Sequence, residues 1–518
     1  MVQSTTKPDP LNHGAITISS DGKVIVNNQY IHTGTFVADH IVADGAILNI
    51  ANPTGDYMFN VNTIEGEITL DSSFIMEGNG YGWKVENFIN VVSLSGMGSR
   101  DLKITSSPLF VVEVNNTGSL SVAKQPYAHL EAGSQFDNLY NGLDSLLAQD
   151  QEGSGKASTL LKNLNAYLDD IYKSQGQVAF ESEATRTLAE VRGDVYATVQ
   201  QRMNNVQSAF DNSFEEMVSS HNFTRDTGKY SVIYQQGNYR DNTVGIDDYN
   251  YRVQGLMYMK EYEGRNYGNK RGYSLGFAVS RFNFDDAPTF GDKSKEDMYS
   301  LRAGLHNIYS FDEEDTWNLR TRLELGYNRH KTVRSMELDK TYKNEVSYNS
   351  YNVTLDNRLS KTLYRNVSTE LKVYGDFNIG YNYMSNFTES SKRDSALELS
   401  VKSRDTYSIE GAVGIQGSKR GYIGKKISTK LTGDLSYGHD FGNSYDKQVK
   451  ARVAGGTEGY YNLIRPEEEK GHVKGKVGLT VEKRDNYGVT FEVEARKHSN
   501  KKDVDLSYGV RFNYKFMN

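Results

Sequence analysis

The 518-residue chain contains no cysteine, seven prolines and two tryptophans. Without thiols it can hold neither a disulfide framework nor a thiolate metal site; this is compatible with export but does not require it. No apolar run reaches the roughly 18 residues that a transmembrane helix needs, and a mean hydropathy of −0.63 is too polar for a helical membrane protein. A basic excess is also missing. The formal net charge of −7 leaves no electrostatic footprint for nucleic acid. At the N-terminus, Met1 to Pro8 lacks the basic and apolar regions of a signal peptide.

What the chain does have is tyrosine, glycine and alternation. Its 36 tyrosines and 47 glycines fit strands with aromatic girdles. The last strand places Tyr508, Val510, Phe512, Tyr514 and Phe516 on one face and Ser507, Gly509, Arg511, Asn513 and Lys515 on the other. Twelve such segments can be counted, at 229–236, 249–260, 271–284, 296–309, 316–329, 344–360, 366–386, 395–416, 422–440, 470–484, 487–497 and 504–516. In the fifth, Trp317, Leu319, Thr321, Leu323, Leu325 and Tyr327 alternate with Asn318, Arg320, Arg322, Glu324, Gly326 and Asn328. No soluble core accepts the second set as its interior. An even-stranded barrel, lipid outside and a wet lumen inside, satisfies both faces. Such a chain must cross the inner membrane, so it is expected to be the C-terminal piece of a longer precursor.

Upstream, in the domain expected over residues 1–125, the chain from about residue 11 repeats a glycine followed by a short alternating strand, as in Gly22 to Val26 and Gly66 to Leu70. Each unit is too short to bury its own apolar side, and stacking the units into an irregular β-solenoid solves that problem. An antiparallel sandwich is the alternative. Helical spacing then takes over. Residues 126–180 form a helical junction, carrying Leu139, Leu143, Leu147, Leu161, Leu164 and Leu168 in stripes. The Gly-Ser stretch at 150–157 lacks the spacing of a phosphate loop and reads as a linker. Residues 181–220 predict one long amphipathic helix through Leu188, Val195, Met203, Phe210 and Met217. It is too charged for lipid and is placed in the lumen. Gly276, Gly304, Gly326, Gly380, Gly414, Gly438, Gly478, Gly488 and Gly509 share the lumenal phase of their strands, which predicts close approach by that helix. Arg252, Arg302, Arg320 and Arg322 are expected to meet its carboxylates, such as Glu190 and Asp194.

This order of parts, with Leu431 to Phe441 as a ninth barrel strand, resembles the C-terminal portion of a monomeric autotransporter of the classical type V secretion pathway. The fold class is then all-β with a helical insert: β-solenoid passenger end, helical junction, and a 12-stranded antiparallel transmembrane barrel over 221–518 with a lumenal α-helix. The resemblance implies an outer-membrane translocator that exports and anchors its own passenger, with residues 1–180 exposed on the cell surface. Large passengers of this family are commonly adhesins. Implied partners are outer-membrane lipid, the barrel assembly machinery, periplasmic chaperones and a host or bacterial surface receptor; a monomer is expected. Tyr508, Val510, Phe512, Tyr514 and Phe516 would form the C-terminal assembly signal, whose edge must pair with the first strand. Here Met517 and Asn518 follow the final aromatic residue, whereas most members end on it.

No catalytic residue, cofactor or metal is expected. Some relatives cut the lumenal helix at an Asn-Asn pair with help from a lumenal carboxylate. Asn204-Asn205 lies mid-helix, with Glu324, Asp376, Glu410, Asp434, Glu492 and Glu494 on the lumenal phase, but the surrounding sequence differs from the family's. His439-Asp440 lies at a predicted strand end, where such a pair could serve an outer-membrane protease. The rival readings are a porin-like channel, an outer-membrane protease and a soluble β-solenoid binding module.

Overall fold

The computed structural model describes strand backbone at intervals between residues 16 and 105. From 106 onward it describes all residues except 115–119, 131–134, 150–155, 221–224, 244, 265–267, 286–292, 339, 392–395, 425, 468, 484–485, 500 and 518. Near the N-terminus, Thr35–Asn49 pairs in parallel with Lys23–Asn27 and with Met58–Asp71, which in turn pairs in parallel with Ser99–Thr105. Gly45 and Gly66 lie inside these strands rather than starting them, Gly45 at a break in register between Asp44 and Ala46. Of the Gly-Ser stretch at 150–157, residues 150–155 lie outside the described residues, and Lys156 and Ala157 already belong to a helix rather than to a linker.

The barrel has twelve strands: β1 Asp226–Tyr239, β2 Tyr249–Glu263, β3 Lys270–Phe284, β4 Lys295–Ser310, β5 Trp317–Glu337 and β6 Thr341–Arg365. They continue as β7 Thr369–Met384, β8 Arg404–Ile423, β9 Ile427–Asp440, β10 Gly471–Lys483, β11 Tyr487–His498 and β12 Asp505–Met517. Each pairs antiparallel with its neighbours, and β12 returns to β1 through Thr227 to Gly237, so the sheet closes. Closure leaves no unpaired edge in lipid. Exposure alternates as the period-2 pattern requires. Leu323 and Leu325 face outward, 43% and 55% exposed, while Arg322 and Glu324 are buried inside.

One end of the barrel carries the short turns 311–316, 366–368, 424–426 and 484–486; the other carries the connections 285–294, 385–403 and 441–470. Outer-membrane barrels keep short turns in the periplasm and long loops outside, which orients the chain. Two of the long connections build a small sheet of their own. Phe387–Thr388, Leu399–Val401, Lys450–Val453 and Tyr461–Asn462 pair in that order, and the strand expected to begin at 395 starts at Arg404 instead.

Among the described residues four α-helices precede the barrel: α1 Asp137–Gln149, α2 Lys156–Gln175, α3 Gln177–Arg192 and α4 Val199–Ser219. The single helix expected over 181–219 is therefore two. Gly193 adopts a left-handed conformation at φ 83°, accessible to glycine without a Cβ clash, and ends α3. A short turn at Asp194–Tyr196 redirects the chain into α4. The α1 helix and the end of α3 rest on the small loop sheet. Phe136 packs edge-on against Tyr461 at 6.2 Å, and the Tyr461 hydroxyl donates to the Arg192 carbonyl at 2.8 Å.

Candidate functional site

With 21 residues, α4 is about 32 Å long, close to the ~30 Å hydrocarbon core that the barrel must cross. It stands inside the barrel against the wall of β11, β12 and β1 to β5. Phe210 lies on Gly276 of β3, where a Cβ would fall 2.6 Å from the ring. Phe214 meets His306 of β4 edge-on at 5.3 Å and carries the Arg322 guanidinium 4.3 Å above its ring. On the other side a polar cavity of ≈ 260 Å³ lies between the helix and the wall from β7 to β11, bordered by Asp376, Glu410, Asp434 and Arg496 and bridged where Thr406 of β8 donates to Gln200 at 3.3 Å and Lys476 of β10 to Asn212 at 3.2 Å. The lumen is filled but not packed solid.

Charge fixes the helix at three levels. Near the loop end Arg202, fully buried, reaches Glu296 of β4 at 3.0 Å and also donates to the Val195 carbonyl and the Thr198 hydroxyl. Glu296 takes further hydrogen bonds from Thr332 at 2.7 Å and Tyr348 at 3.0 Å, and His330 lies 3.1 Å away. In the middle, Arg322 donates to Asp211 at 2.8 Å and pairs with Glu324, which accepts from Gln207 at 2.8 Å. Toward the turn end Arg320 grips Glu215, and Lys229 of β1 donates to the Met217 carbonyl at 2.7 Å. A cation there suits the negative end of the helix.

These contacts amend the expected charge pairing. Arg302, Arg320 and Arg322 do face the helix, but their partners are Gln207, Glu215 and Asp211. Glu190 and Asp194 sit at the outer mouth, paired with Arg186 and Arg192. Arg252 is exposed on the outer face, because the inward phase of β2 belongs to Tyr249, Tyr251 and Val253. The inward glycines are only partly explained by the helix. Gly276 meets it, whereas Gly304, Gly414 and Gly438 lie beneath Ser274, Tyr374 and His472 of the wall itself.

At the closing seam Phe516 of β12 covers Gly228 of β1, its register partner, and stacks on Tyr230 at 5.4 Å. Tyr508, Val510 and Phe512 face outward, 52%, 38% and 45% exposed, with Tyr514 half-buried against Tyr487. The inward face of the same strand holds the helix. Arg511 donates to Glu216 at 2.6 Å and to Glu492 at 2.6 Å, and Asn513 and Thr490 also reach Glu216.

A family model described as the autotransporter beta-domain matches residues 228–494, just over half of the chain. The chain belongs to this family. No curated protein matches it in sequence. Among solved structures, this autotransporter is similar to the translocator domain of NalP from Neisseria meningitidis, at 14% identity and TM-score 0.47, over 62% of this chain and 100% of that one. It is also similar to the beta domain of the Bordetella autotransporter BrkA, at 10% identity and TM-score 0.38, over 56% and 99%. The transport unit of AIDA-I from Escherichia coli is similar at 9% identity and TM-score 0.37, over 60% and 97%. The protein is an outer-membrane translocator, and its beta-domain is a transport module rather than a catalytic one.

The translocator's other sequence-marked residues fall as follows. Asn204 accepts from Gln200 at 3.0 Å and Asn205 donates to the Tyr249 hydroxyl at 2.9 Å, both on α4 inside the lumen. Glu324, Asp376, Glu410, Asp434, Glu492 and Glu494 all line the lumen, yet among the described residues no carboxylate hydrogen-bonds to either asparagine. His439 and Asp440 are not brought together as a pair: His439 packs on Phe441 at 4.7 Å, while Asp440 is buried and accepts from the backbone of Ile409 and Gly442. Glu469, His498 and Asp505 cluster at the loop end, but Lys501 supplies their positive charge, 3.0 Å from Glu469 and 3.1 Å from Asp505. Sequence reading missed Arg202 with Glu296, whose pairing across 94 residues has no local signal.

Proposed function

We propose that this translocator displays residues 1–180 on the bacterial surface, that residues 1–125 end a β-helical passenger, and that the passenger serves as an adhesin. The observation that carries this reading is the path of α4. Its first turn lies at the long-loop end, its last turn lies against β1 at the short-turn end, and the segment before it is docked on the outer loops. A chain anchored so has its N-terminal part on the outside. The parallel ladders from residue 23 to 105 support a solenoid over a sandwich, and closure by one chain supports a monomer. Adhesion follows from the family resemblance, with a surface receptor as partner. Tyr508, Val510, Phe512, Tyr514 and Phe516 act as the assembly signal read by the assembly machinery.

Tags placed near residue 175 and in the 311–316 turn test the topology in intact cells. Protease and antibody should reach the first and not the second. Protection of residue 175 in intact cells would overturn surface display, and unchanged cell or matrix binding after loss of the protein would remove the adhesin assignment alone.

A further inference from the structure

The outer wall carries a side-specific basic patch where the apolar belt ends. Cross-strand register aligns the outward residues in rows. One row runs Leu256, Phe277, Leu301, Tyr327 and Tyr351 from β2 to β6 and belongs to the lipid belt. Two rows toward the loops comes Gln236, Arg252, Arg281, Asp297 and Lys331, with Tyr299 and Arg329 paired in the row between. Strand tilt lifts such a row progressively around the barrel. Arg252, Arg281 and Arg329, drawn from the two rows, therefore come to nearly one height, that of the Tyr299 and Tyr327 rings.

All three arginines are exposed. Arg252 and Arg281 are direct register partners, an arrangement that costs stability unless an anion intervenes. Only Arg281 finds one in the wall, at Asp297 with contacts of 2.7 and 3.1 Å. Among the described residues no carboxylate pairs with Arg252, Arg329 or Lys331. Near the same level on the far side stand the exposed, uncharged Tyr407, Tyr437, Val473 and Leu506, and one cation, Lys497 beside Val473, whose ammonium donates to the Lys501 and Lys502 carbonyls. The orientation of the barrel puts the patch in the outward leaflet, whose headgroups meet it edge-on.

We propose that Arg252, Arg281 and Arg329 bind the phosphate of a phosphorylated glycolipid of the outward leaflet, its acyl chains lying on Leu256, Phe277 and Leu301. Guanidinium forks suit phosphate oxygens, and strand spacings of about 4.8 Å place the three heads within reach of one headgroup carrying two phosphates. The apolar row beneath supplies the second half of the site.

The test is native mass spectrometry of the full chain in detergent, titrated with a bis-phosphorylated lipid A-type glycolipid, its dephosphorylated form and inorganic phosphate. The wild type should hold one phosphorylated glycolipid, and Arg252→Gln/Arg281→Gln/Arg329→Gln should bind at least about tenfold more weakly, with an unchanged heat-modifiable barrel. The triple Arg→Lys variant should recover part of the loss. Should the triple glutamine variant fail to fold, Arg252→Gln alone, which breaks no protein contact, must still weaken binding. Equal binding by wild type and variants, or equal binding of the dephosphorylated lipid, overturns the proposal. Full competition by millimolar inorganic phosphate overturns the lipid assignment by showing a free-anion site.

Discussion

Replacing Arg202 by alanine should unseat the plug. The guanidinium and its partner Glu296 are both completely buried, joined at 3.0 and 3.2 Å. Removing the cation leaves Glu296 as a buried ion served only by Thr332, Tyr348 and His330. Breaking a buried pair from one side costs about 3–5 kcal/mol. The adjoining cavity lets water reach part of the lumen, so the lower figure is taken. At about 1.4 kcal/mol per tenfold, a loss of ~3 kcal/mol raises the unseated fraction of α4 by a little over a hundredfold. Planar-bilayer recording of single barrels reads this directly as more frequent large openings. Glu296→Gln in the Arg202→Ala background removes the stranded charge and should restore much of the closed time. If Arg202→Ala conducts like the wild type, or if the second substitution restores nothing, the pair does not hold the helix and the reasoning fails.

Deleting α4 altogether should give larger conductance than any point variant, and equal conductance with and without it would place the helix outside the lumen. Phe516→Ala with Tyr514→Ala should lower the yield of membrane-inserted barrel without lowering synthesis; Gly228→Val should do the same, because its side chain would enter the space of the Phe516 ring. Unchanged yield in both would remove the seam from assembly. The unheated protein should run ahead of the boiled one on a detergent gel, and identical migration would count against a closed barrel. At the outer mouth the Arg186 guanidinium holds the Glu183 carboxyl below its ordinary value. A depressed carboxylate stabilises above its unfolded pKa and loses that contribution as pH falls through the folded one. Protection of residues 177–192 against hydrogen exchange, taken relative to the intrinsic rate at each pH, should therefore be constant through neutrality and fall in acid below the ordinary carboxylate range; a fall near pH 7 would contradict the pairing.

Strand number and phase were legible because a barrel wall repeats every two residues and lipid accepts only one face. The fifth strand illustrates this: Trp317 to Tyr327 face outward as its alternation requires, and the expected 316–329 merely falls short of the observed end at Glu337. What escaped the pattern depends on distance or on single residues. Gly193 is a lone breaker inside an unbroken hydrophobic stripe, so periodicity ran straight through it. Arg252, expected in the lumen, faces outward because the buried residues of β2 near the loops are the apolar Tyr249, Tyr251 and Val253, which reverse the phase that its charge suggests. The loop sheet joins residues 387 to 462, and no local alternation announces strands of two to four residues. Asp211, Glu215 and Glu216 are legible as helix carboxylates, but which arginine each meets is decided by the rotation of α4 against the wall.

The final strand answers to two different partners. Its even-numbered residues look to the membrane and to the groove over Gly228, and its odd-numbered residues look into the lumen, where Arg511 and Asn513 meet Glu216 at the foot of the plug. Residue parity thus separates two events in the life of the molecule. Substitutions at 508 to 516 on the even side should register as barrels that never arrive, whereas substitutions at Arg511 or Asn513 should register as barrels that arrive but leak. Thirteen residues therefore record both whether the wall was completed and whether the passage through it was shut behind the cargo.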